Sequence, residues 1–449
     1  MKNILGIDIG SSKTVAIMAN ISDKPTITGV GIAKSKGIKK GTITNIEQAA
    51  NSIKQAVTDA KRIAGTNVTK SIVSISTAYT KSTKSHGIVN LPKNEITIDE
   101  IKRVIKTAIY NATIPNDYVI IQAIPYDFKV DDITEIEDPE GMSGSRLEVA
   151  IHITLAQKSS IENIKKMLKL AGLTVENIVL TSFASGIATL NEDEKEQGVA
   201  LIDIGATTSN LIIIKENAIR WTDFVGVGSH HITNDLAMAL HTPLSHAEKM
   251  KLNIDKWNDE DIIEIPIIGD ETQTQTVNIV TIKEIMYARI HETLMILNKL
   301  IEDSKLKDKI TSIVLTGGFT NLSNLRDISI PIFGNMSVRI AKPKNLDGLF
   351  DNLKAPEFST AIGLIIYAAG QHSSYEIDSN NKFRSKHSIE EIKKEDPLEL
   401  DSLIEEPNTS NDELKIEDKK TDLVNIFDNN KREPVSGMQK LTVWLKNLF

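Results

Sequence analysis

The stretch Gly6-Ile7-Asp8-Ile9-Gly10-Ser11-Ser12-Lys13-Thr14 decides the fold class of this chain of 449 residues. It places an aspartate inside an apolar strand, directly before a turn of small residues. Gly10 allows backbone N–H groups to approach a phosphate. The hydroxyls that follow, on Ser11, Ser12 and Thr14, can donate further hydrogen bonds, and the aspartate can hold hydrated magnesium. A hairpin with a buried, hydrogen-bonded aspartate is the alternative for this stretch taken alone.

Two further elements of the sequence follow the same plan. Asp203-Ile204-Gly205-Ala206-Thr207-Thr208 ends an equally apolar strand about 195 residues later. Leu315-Thr316-Gly317-Gly318-Phe319-Thr320 joins a buried strand to a predicted helix, and its glycines would let the backbone lie against a base or ribose. A plain strand-to-helix turn is the alternative for this third element. In order and spacing, the three elements resemble the actin, Hsp70 and sugar-kinase superfamily, in which two related domains clamp ATP and magnesium.

Three predicted helices extend this resemblance. Ala184-Ser185-Gly186-Ile187-Ala188 and Thr360-Ala361-Ile362-Gly363-Leu364 resemble the two connecting helices of the superfamily, where small residues permit close crossing. Ser245-His246-Ala247-Glu248-Lys249-Met250-Lys251 resembles the helix that presents an acid and a lysine to the nucleotide ribose and base. Glu248 and Lys251 share one face at this spacing. A solvated helix surface with an ordinary ion pair is the alternative.

The resemblance implies ATP and Mg2+ as cofactors. Asp8 and Asp203 are the predicted metal ligands, acting through water. The predicted nucleotide-binding residues are Asp8, Gly10, Ser11, Ser12, Lys13, Thr14, Asp203, Gly205, Ala206, Thr207, Thr208, Glu248, Lys251, Gly317, Gly318 and Phe319.

Composition and charge exclude several classes of protein. The chain has no cysteine, which excludes disulfides, cysteine nucleophiles and cysteine-rich metal sites. Its net charge of −8 argues against a general nucleic-acid surface. Met1-Lys2-Asn3 leads directly into a short apolar strand unlike a secretory signal, and no run reaches the length of a transmembrane helix. We therefore expect a cytoplasmic protein that does not bind nucleic acid.

A second set of motifs narrows the family. Asp138-Pro139-Glu140-Gly141-Met142-Ser143-Gly144, followed by Arg146-Leu147, resembles the Asn/Asp-Pro-x-Gly-hydrophobic-Ser-Gly signature of the bacterial cell-division FtsA family. Gly226-Val227-Gly228 and Thr233-Asn234-Asp235-Leu236-Ala237 resemble the start of the upper part of that family's second domain. The resemblance spans most of residues 1–370. It implies an α/β, actin-like two-domain ATPase fold with an inserted SHS2-type subdomain.

The subdomain boundaries follow from this resemblance and from the restart of the α/β pattern at Gly198. A chain of this length is expected to form several subdomains. The predicted boundaries are 1–84 and 157–197 for subdomain 1A, 85–156 for the inserted subdomain 1C, 198–228 and 310–370 for subdomain 2A, 229–309 for subdomain 2B, 371–435 for a disordered acidic linker and 436–449 for an amphipathic helix.

The resemblance also implies a function and partners. FtsA-like proteins polymerise head to tail on the cytoplasmic membrane, anchor the FtsZ ring and help to recruit later division proteins. The FtsZ tail docks on the second domain's upper subdomain, here about residues 229–309. This sequence departs from the family at Ala206 and Thr207, where glycine is usual, and at Asn210, where an acid is common. The added Cβ atoms put close approach of the backbone to phosphate in doubt. Since no carboxylate is assigned to activate water, we expect ATP binding and at most a weak ATPase.

The end of the chain predicts a membrane attachment. Residues 371–435 are poor in large apolar groups and cannot bury enough surface to offset chain entropy, which predicts disorder. The last residues suit a helix at the bilayer interface, with a terminal helix folded back on the core as the alternative. We therefore expect a peripheral protein on the cytoplasmic face of the membrane at the division site. The predicted membrane-contacting residues are Met438, Leu441, Trp444, Leu445, Leu448 and Phe449 on the apolar face, with Lys440 and Lys446 beside it.

Two other functions are alternatives to this one. A small-molecule kinase of the superfamily would need a sugar-facing catalytic aspartate and would not explain a lipid-seeking tail. A PilM-like actin-fold assembly protein of a membrane pilus machine shares the fold. It would ordinarily lack the long acidic linker and the terminal helix, and it is kept as the alternative.

Overall fold

The computed structural model of the chain describes residues 2–22, 24–348, 351–370 and 373–385. Within these ranges, helices are interspersed with runs of one to five strands. The strands are β1 (Lys2–Ile9), β2 (Lys13–Ile21), β3 (Pro25–Lys34), β4 (Ile38–Lys39), β5 (Thr42–Ile43), β6 (Lys70–Ile75), β7 (Thr80–Asn90), β8 (Tyr118–Val130), β9 (Ile133–Ile136), β10 (Arg146–Gln157), β11 (Thr174–Leu180), β12 (Val199–Ile204), β13 (Ser209–Lys215), β14 (Ala218–Val225), β15 (Ile262–Ile267), β16 (Asp270–Asn278), β17 (Ser312–Thr316), β18 (Ser337–Ile340), β19 (Tyr375–Ile377) and β20 (Phe383–Ser385). The helices are α1 (Ile46–Ala64), α2 (Ile98–Asn111), α3 (Lys158–Leu170), α4 (Thr181–Thr189), α5 (Glu192–Gln197), α6 (Ser229–Ala239), α7 (Leu244–Asn253), α8 (Ile279–Asp303), α9 (Leu325–Ile332) and α10 (Ser359–Ala368).

Two five-stranded sheets share one topology. The first has the order β11-β6-β1-β2-β3, and the second has the order β18-β17-β12-β13-β14. In each sheet the central strand pairs antiparallel with the strand that follows it and parallel with a later one. Asp8 and Asp203 lie near the carboxyl ends of these two central strands. The repetition that the sequence predicts at Gly198 is therefore a repetition of sheet topology.

A third sheet forms the inserted part of the chain. Its order is β20-β19-β8-β10-β7, with β9 paired to β8. Helix α2 lies against it at Gly87, where a Cβ would lie 2.3 Å from the carbonyl oxygen of Val104. Only a glycine allows this approach, and a separate apolar core fills the space between helix and sheet. The exact subdomain boundaries stay predictions.

The prediction that a disordered linker begins at residue 371 is wrong. Residues 375–385 form the hairpin β19-β20, which joins the third sheet where Ile377 pairs with Ala123 of β8. The fold therefore continues past residue 370, the predicted end of subdomain 2A. Residues 386–449 lie outside the described residues, and with them the remainder of the predicted linker to 435, the predicted helix 436–449 and every predicted membrane-contacting side chain.

Buried hydrogen bonds explain why the polar composition of this hairpin predicts disorder although the segment is folded. Glu376 is fully buried and its Oε1 accepts from Gln122 Nε2 at 2.7 Å and from the Tyr367 hydroxyl at 3.1 Å. Asn177 Nδ2 donates to the Tyr367 hydroxyl at 3.0 Å and to Asp378 Oδ2 at 3.2 Å. Polar residues whose composition predicts exposure to solvent are thus paired inside the protein.

Among the described residues, no helix has both the length and the apolar character needed to cross a membrane.

Helices α4 and α10 cross in close contact between the first and second sheets, as the small residues predict. A Cβ on Gly363 would lie 1.9 Å from the carbonyl oxygen of Ala184. On the α4 side, Gly186 faces Leu201 of the second sheet, and on the α10 side, Ile365 lies against Gly6 of the first sheet. One apolar core runs continuously through this crossing.

We expect Gly363→Ala to lower the free energy of unfolding by about 3 kcal/mol or more, because the added methyl group meets backbone that cannot move aside. Gly186→Ala is the matched control, since its Cβ would lie 3.6 Å from the nearest neighbouring atom. That change should be neutral or slightly stabilising in a helix. Urea unfolding followed by circular dichroism measures both. Equal effects of the two substitutions would contradict the close crossing.

Candidate functional site

The three predicted turns meet in one cleft of about 410 Å³ between the first and second sheets. The cleft is lined by all the predicted nucleotide-binding residues except Thr14 and Thr207. This volume is in the range of small-molecule sites. The predicted residues it brings together are Asp8, Gly10, Ser11, Ser12, Lys13, Asp203, Gly205, Ala206, Thr208, Glu248, Lys251, Gly317, Gly318 and Phe319.

The first turn is closed by its own backbone. The N–H of Gly10 donates to the carbonyl oxygen of Lys13 at 3.1 Å, and a Cβ on Gly10 would lie 2.7 Å from that oxygen. The hydroxyl of Thr14 does not reach the cleft. It is fully buried and hydrogen-bonds the hydroxyl of Ser35 at 2.9 Å, because Thr14 already belongs to β2 and points into the fold. The structure therefore does not bring this predicted phosphate donor into the cleft.

The second turn repeats this closure. The N–H of Gly205 donates to the carbonyl oxygen of Thr208 at 2.9 Å. Ala206 and Thr207 stand where the resemblance expects glycine, yet neither adopts a positive φ, so glycine is not required by the backbone conformation there. Ala206 lines the cleft, whereas Thr207 does not, so its predicted contact is not supported.

Asn210 has a role that the sequence did not indicate. Its side chain is buried, and its Oδ1 accepts from the Ser76 hydroxyl and from the Thr77 N–H, both at 3.2 Å. These partners follow β6 of the first sheet, while Asn210 belongs to β13 of the second. The residue therefore joins the two sheets beside the cleft.

The two aspartates face the cleft with little compensating charge. Asp8 accepts a hydrogen bond from the Ser74 hydroxyl at 2.8 Å, yet burial, reinforced by the charge of Asp203, raises the pKa of Asp8 to about 6. Asp203 accepts from the hydroxyls of Ser185 and Thr360, the latter at 3.0 Å, and burial raises its pKa as well. Both carboxylates would gain from a nearby cation.

The donor chemistry of this pair fits Mg2+. Carboxylate oxygens are ligands that Mg2+ prefers, and this ion usually keeps several waters. Within the part of the chain that the structure describes, no group of three or more histidine, aspartate or glutamate side chains is placed to hold a metal. If Mg2+ binds here, Asp8 and Asp203 would hold it through water, together with oxygens of a ligand.

Glu248 and Lys251 both line the cleft from α7, as their helix spacing predicts. Lys251 is buried, and its Nζ donates to Glu248 Oε2 at 2.8 Å and to the Thr233 hydroxyl at 3.0 Å. Burial raises the pKa of Glu248, but hydrogen bonds from Lys251 and Thr233 hold it below its ordinary value. The pair is therefore a fixed, charged feature of the cleft wall.

The third turn places Gly317 against the second turn. Gly317 has a φ of 91°, and a Cβ there would lie 2.4 Å from Asp203 Oδ1, so glycine is required twice over. Phe319 lines the cleft but is fully buried in the apolar core of the second sheet.

Glu357 is a cleft residue that sequence reasoning missed. It lies in the short 3-10 turn Pro356–Phe358 before α10, and its Oε1 accepts a hydrogen bond from Lys13 Nζ. Its Oε2 accepts from Asn321 Nδ2 at 2.7 Å. Its position directly before the predicted small-residue helix was the only local signal.

Comparison with protein families identifies two matching regions. A family model described as "Cell division protein FtsA" matches residues 200–363, and one described as "SHS2 domain inserted in FTSA" matches residues 77–155. The chain is 38% identical to "Cell division protein FtsA" of Helicobacter pylori (strain J99), with 87% of each chain covered. It is 33% identical to the protein of the same name from Pseudomonas aeruginosa, with 83% of this chain and 90% of that one covered.

Comparison with solved structures identifies a shared fold. A chain of "PilM-PilN type IV pilus biogenesis complex" superposes with a TM-score of 0.59 at 16% identity, covering 81% of this chain and 98% of that one. At this identity the likeness shows the fold alone. Together with the family matches, it confirms the predicted actin-like α/β fold with an inserted SHS2 domain.

We expect Asp8→Asn to stabilise the ligand-free protein at pH 7.5 by about 1–2 kcal/mol. The pKa of an aspartate in the unfolded chain is 3.8, whereas the pKa of Asp8 in the folded protein is about 6. The folded state therefore binds the extra proton between these values, and this group lowers the free energy of unfolding as pH rises through them. The increase in the free energy of unfolding caused by Asp8→Asn should be smaller at pH 5. Urea unfolding at both pH values measures it, with the exposed Asp132→Asn as control. A gain independent of pH would contradict the raised pKa.

Proposed function

This chain belongs to the FtsA family of bacterial cell division proteins, and we propose that it binds ATP with Mg2+ in the cleft, polymerises on the cytoplasmic face of the cell membrane and anchors the FtsZ ring at the division site. In this proposal it also helps to recruit later division proteins. The family membership supports a role in cell division, and the geometry of the cleft supports the nucleotide.

The observation that carries the nucleotide proposal is the duplication of the turn. Two sheets of one topology each present an aspartate and a self-closed glycine turn to the same cleft. Ser11 and Ser12 offer hydroxyls, and the backbone of each turn offers N–H groups, to phosphate oxygens. Bound Mg2+ would neutralise phosphate charge that Asp8 and Asp203 otherwise repel. In this proposal Glu248 and Lys251, which also line the cleft, contact the ribose and base.

Binding is better supported than turnover. In the described lining of the cleft, the acidic side chains are Asp8, Asp203, Glu248, Asp255 and Glu357. The first two suit the metal, and each of the other three already accepts a hydrogen bond from a protein donor. None of these carboxylates is assigned as the base that activates water, so the proposed activity is at most a weak ATPase.

A groove beside α8 supports the proposed docking of the FtsZ C-terminal tail on residues 229–309. Tyr287 and Met295 of α8 are 52% and 55% exposed and line this groove together with Ile328 and Pro331 of α9. An amphipathic peptide helix can lay its apolar face into such a groove. The affinity of one such groove for a peptide is low. Many grooves repeated along a head-to-tail filament would raise the overall affinity through avidity.

The proposed lipid contact is made by residues 436–449, which lie outside the described residues. Each nearby basic residue contributes about 1 kcal/mol at an anionic surface, so one copy should bind modestly and reversibly. Many copies in a filament would bind strongly through avidity.

We expect ATP with Mg2+ to raise the melting temperature of the wild-type protein, because a ligand that binds only the folded state stabilises it. Asp203→Asn should weaken the affinity for Mg2+ and ATP by about tenfold or more, since a charged contact is lost. Titration calorimetry measures both proteins, with the exposed Asp193→Asn as the charge-matched control. Equal affinity of all three proteins would place the nucleotide elsewhere.

We expect the full chain, but not a version ending at Gly437, to sediment with liposomes of anionic lipid. Leu441→Glu should abolish sedimentation because it puts a charge on the apolar face, whereas Gln439→Glu adds the same charge outside that face. In the same assay the full chain should carry down a peptide of the FtsZ tail. Met295→Glu should sediment without the peptide.

Two results of that assay would count against the proposal. If the truncated chain sediments as well as the full one, the terminal helix is not the anchor. If neither version retains the peptide, the result favours the PilM-like alternative.

A further inference from the structure

Lys13 and Glu357 form an ion pair across the cleft. Lys13 belongs to the first turn, and Glu357 belongs to the 3-10 turn that leads into α10. The Lys13 ammonium also lies 3.8 Å from the centre of the Phe358 ring, a cation–π contact. The two charged side chains are 26% and 31% exposed, so a ligand in the cleft can reach both.

Glu357 is held in place from its other side. Its second carboxylate oxygen accepts from Asn321 Nδ2 at 2.7 Å, and Asn321 ends the 3-10 helix Gly318–Asn321 that continues the third turn. A Cβ on Gly318 of the same turn would lie 3.6 Å from the Cβ of Glu357. The carboxylate thus bridges the first and third turns, and its position does not depend on Lys13 alone.

Positive charge is scarce in this cleft. Among the described residues that line it, the cations are Lys13 and Lys251, against five acidic side chains. Lys251 is buried and bound to Glu248. Lys13 is therefore the cation that remains for a phosphate, and in this structure Glu357 holds it.

We propose that Glu357 competes with the phosphates of a bound nucleotide for Lys13 and thereby limits nucleotide affinity. This inference rests on the proposed nucleotide site. A phosphate that enters the first turn exchanges the Lys13–Glu357 pair for a Lys13–phosphate pair, and the freed carboxylate stays bound to Asn321. The exchange weakens the binding of phosphorylated ligands and leaves a ligand without phosphate unaffected.

The test is a double-mutant cycle on the full-length protein, with Mg2+ and ATP titrated by calorimetry. Glu357→Gln keeps the side-chain shape and an acceptor for Asn321 but releases Lys13. It should tighten ATP binding by about twofold to fivefold, the range of a solvent-accessible ion pair. In a Lys13→Met background the same substitution should have no effect. Adenosine should bind the wild-type and Glu357→Gln proteins equally, and the exposed Glu162→Gln controls for net charge.

Each other outcome overturns the inference in a distinct way. Weaker ATP binding by Glu357→Gln would show that Glu357 contacts the nucleotide directly. Tighter binding in both backgrounds would show repulsion through space without competition for Lys13. Equal affinity of Glu357→Gln and the wild type would overturn this inference while the nucleotide site stands. If the wild type binds no nucleotide at all, the inference falls together with the proposed site.

Discussion

The contact between α4 and α10 is the constraint on which the rest of the structure depends. Two helices touch backbone to backbone only where a residue lacks a Cβ, and Gly363 meets this condition against the carbonyl of Ala184. The same two helices supply Ser185 and Thr360, whose hydroxyls both bond Asp203 and each other. The crossing therefore sets the separation of the two sheets and also fixes one of the two cleft carboxylates.

The cleft is an acidic site whose charges are only partly balanced. Burial raises the pKa of both Asp8 and Asp203, and the two available lysines are engaged by glutamates. Such a site favours a ligand that brings its own cation, which is consistent with a nucleotide bound together with Mg2+. The same shortage of positive charge makes the partner of Lys13 important, because any phosphate competes for it.

The hairpin β19-β20 connects the inserted sheet to the body of the protein. Glu376 and Asp378 of this segment share buried hydrogen bonds with Gln122 of the inserted sheet and with Asn177 of the first sheet. Arg384 adds a cation–π contact, 4.8 Å above the ring of Tyr367. Residues 386–449 thus follow directly from a segment that contacts two sheets at once.

The sequence by itself determined the features that neighbouring residues encode. These are the two aspartate turns, the small-residue helices, the Glu248–Lys251 spacing and the family signature, because hydrogen bonds within turns and helical periodicity depend on residues a few positions apart. Only the tertiary structure decided that Thr14 turns away from the cleft, that Asn210 joins the two sheets, and that residues 375–385 form a hairpin on the third sheet. It alone paired Lys13 with Glu357, which lies 344 residues away. Such pairs depend on how sheets and helices come together in space, and no local pattern in the chain records that arrangement.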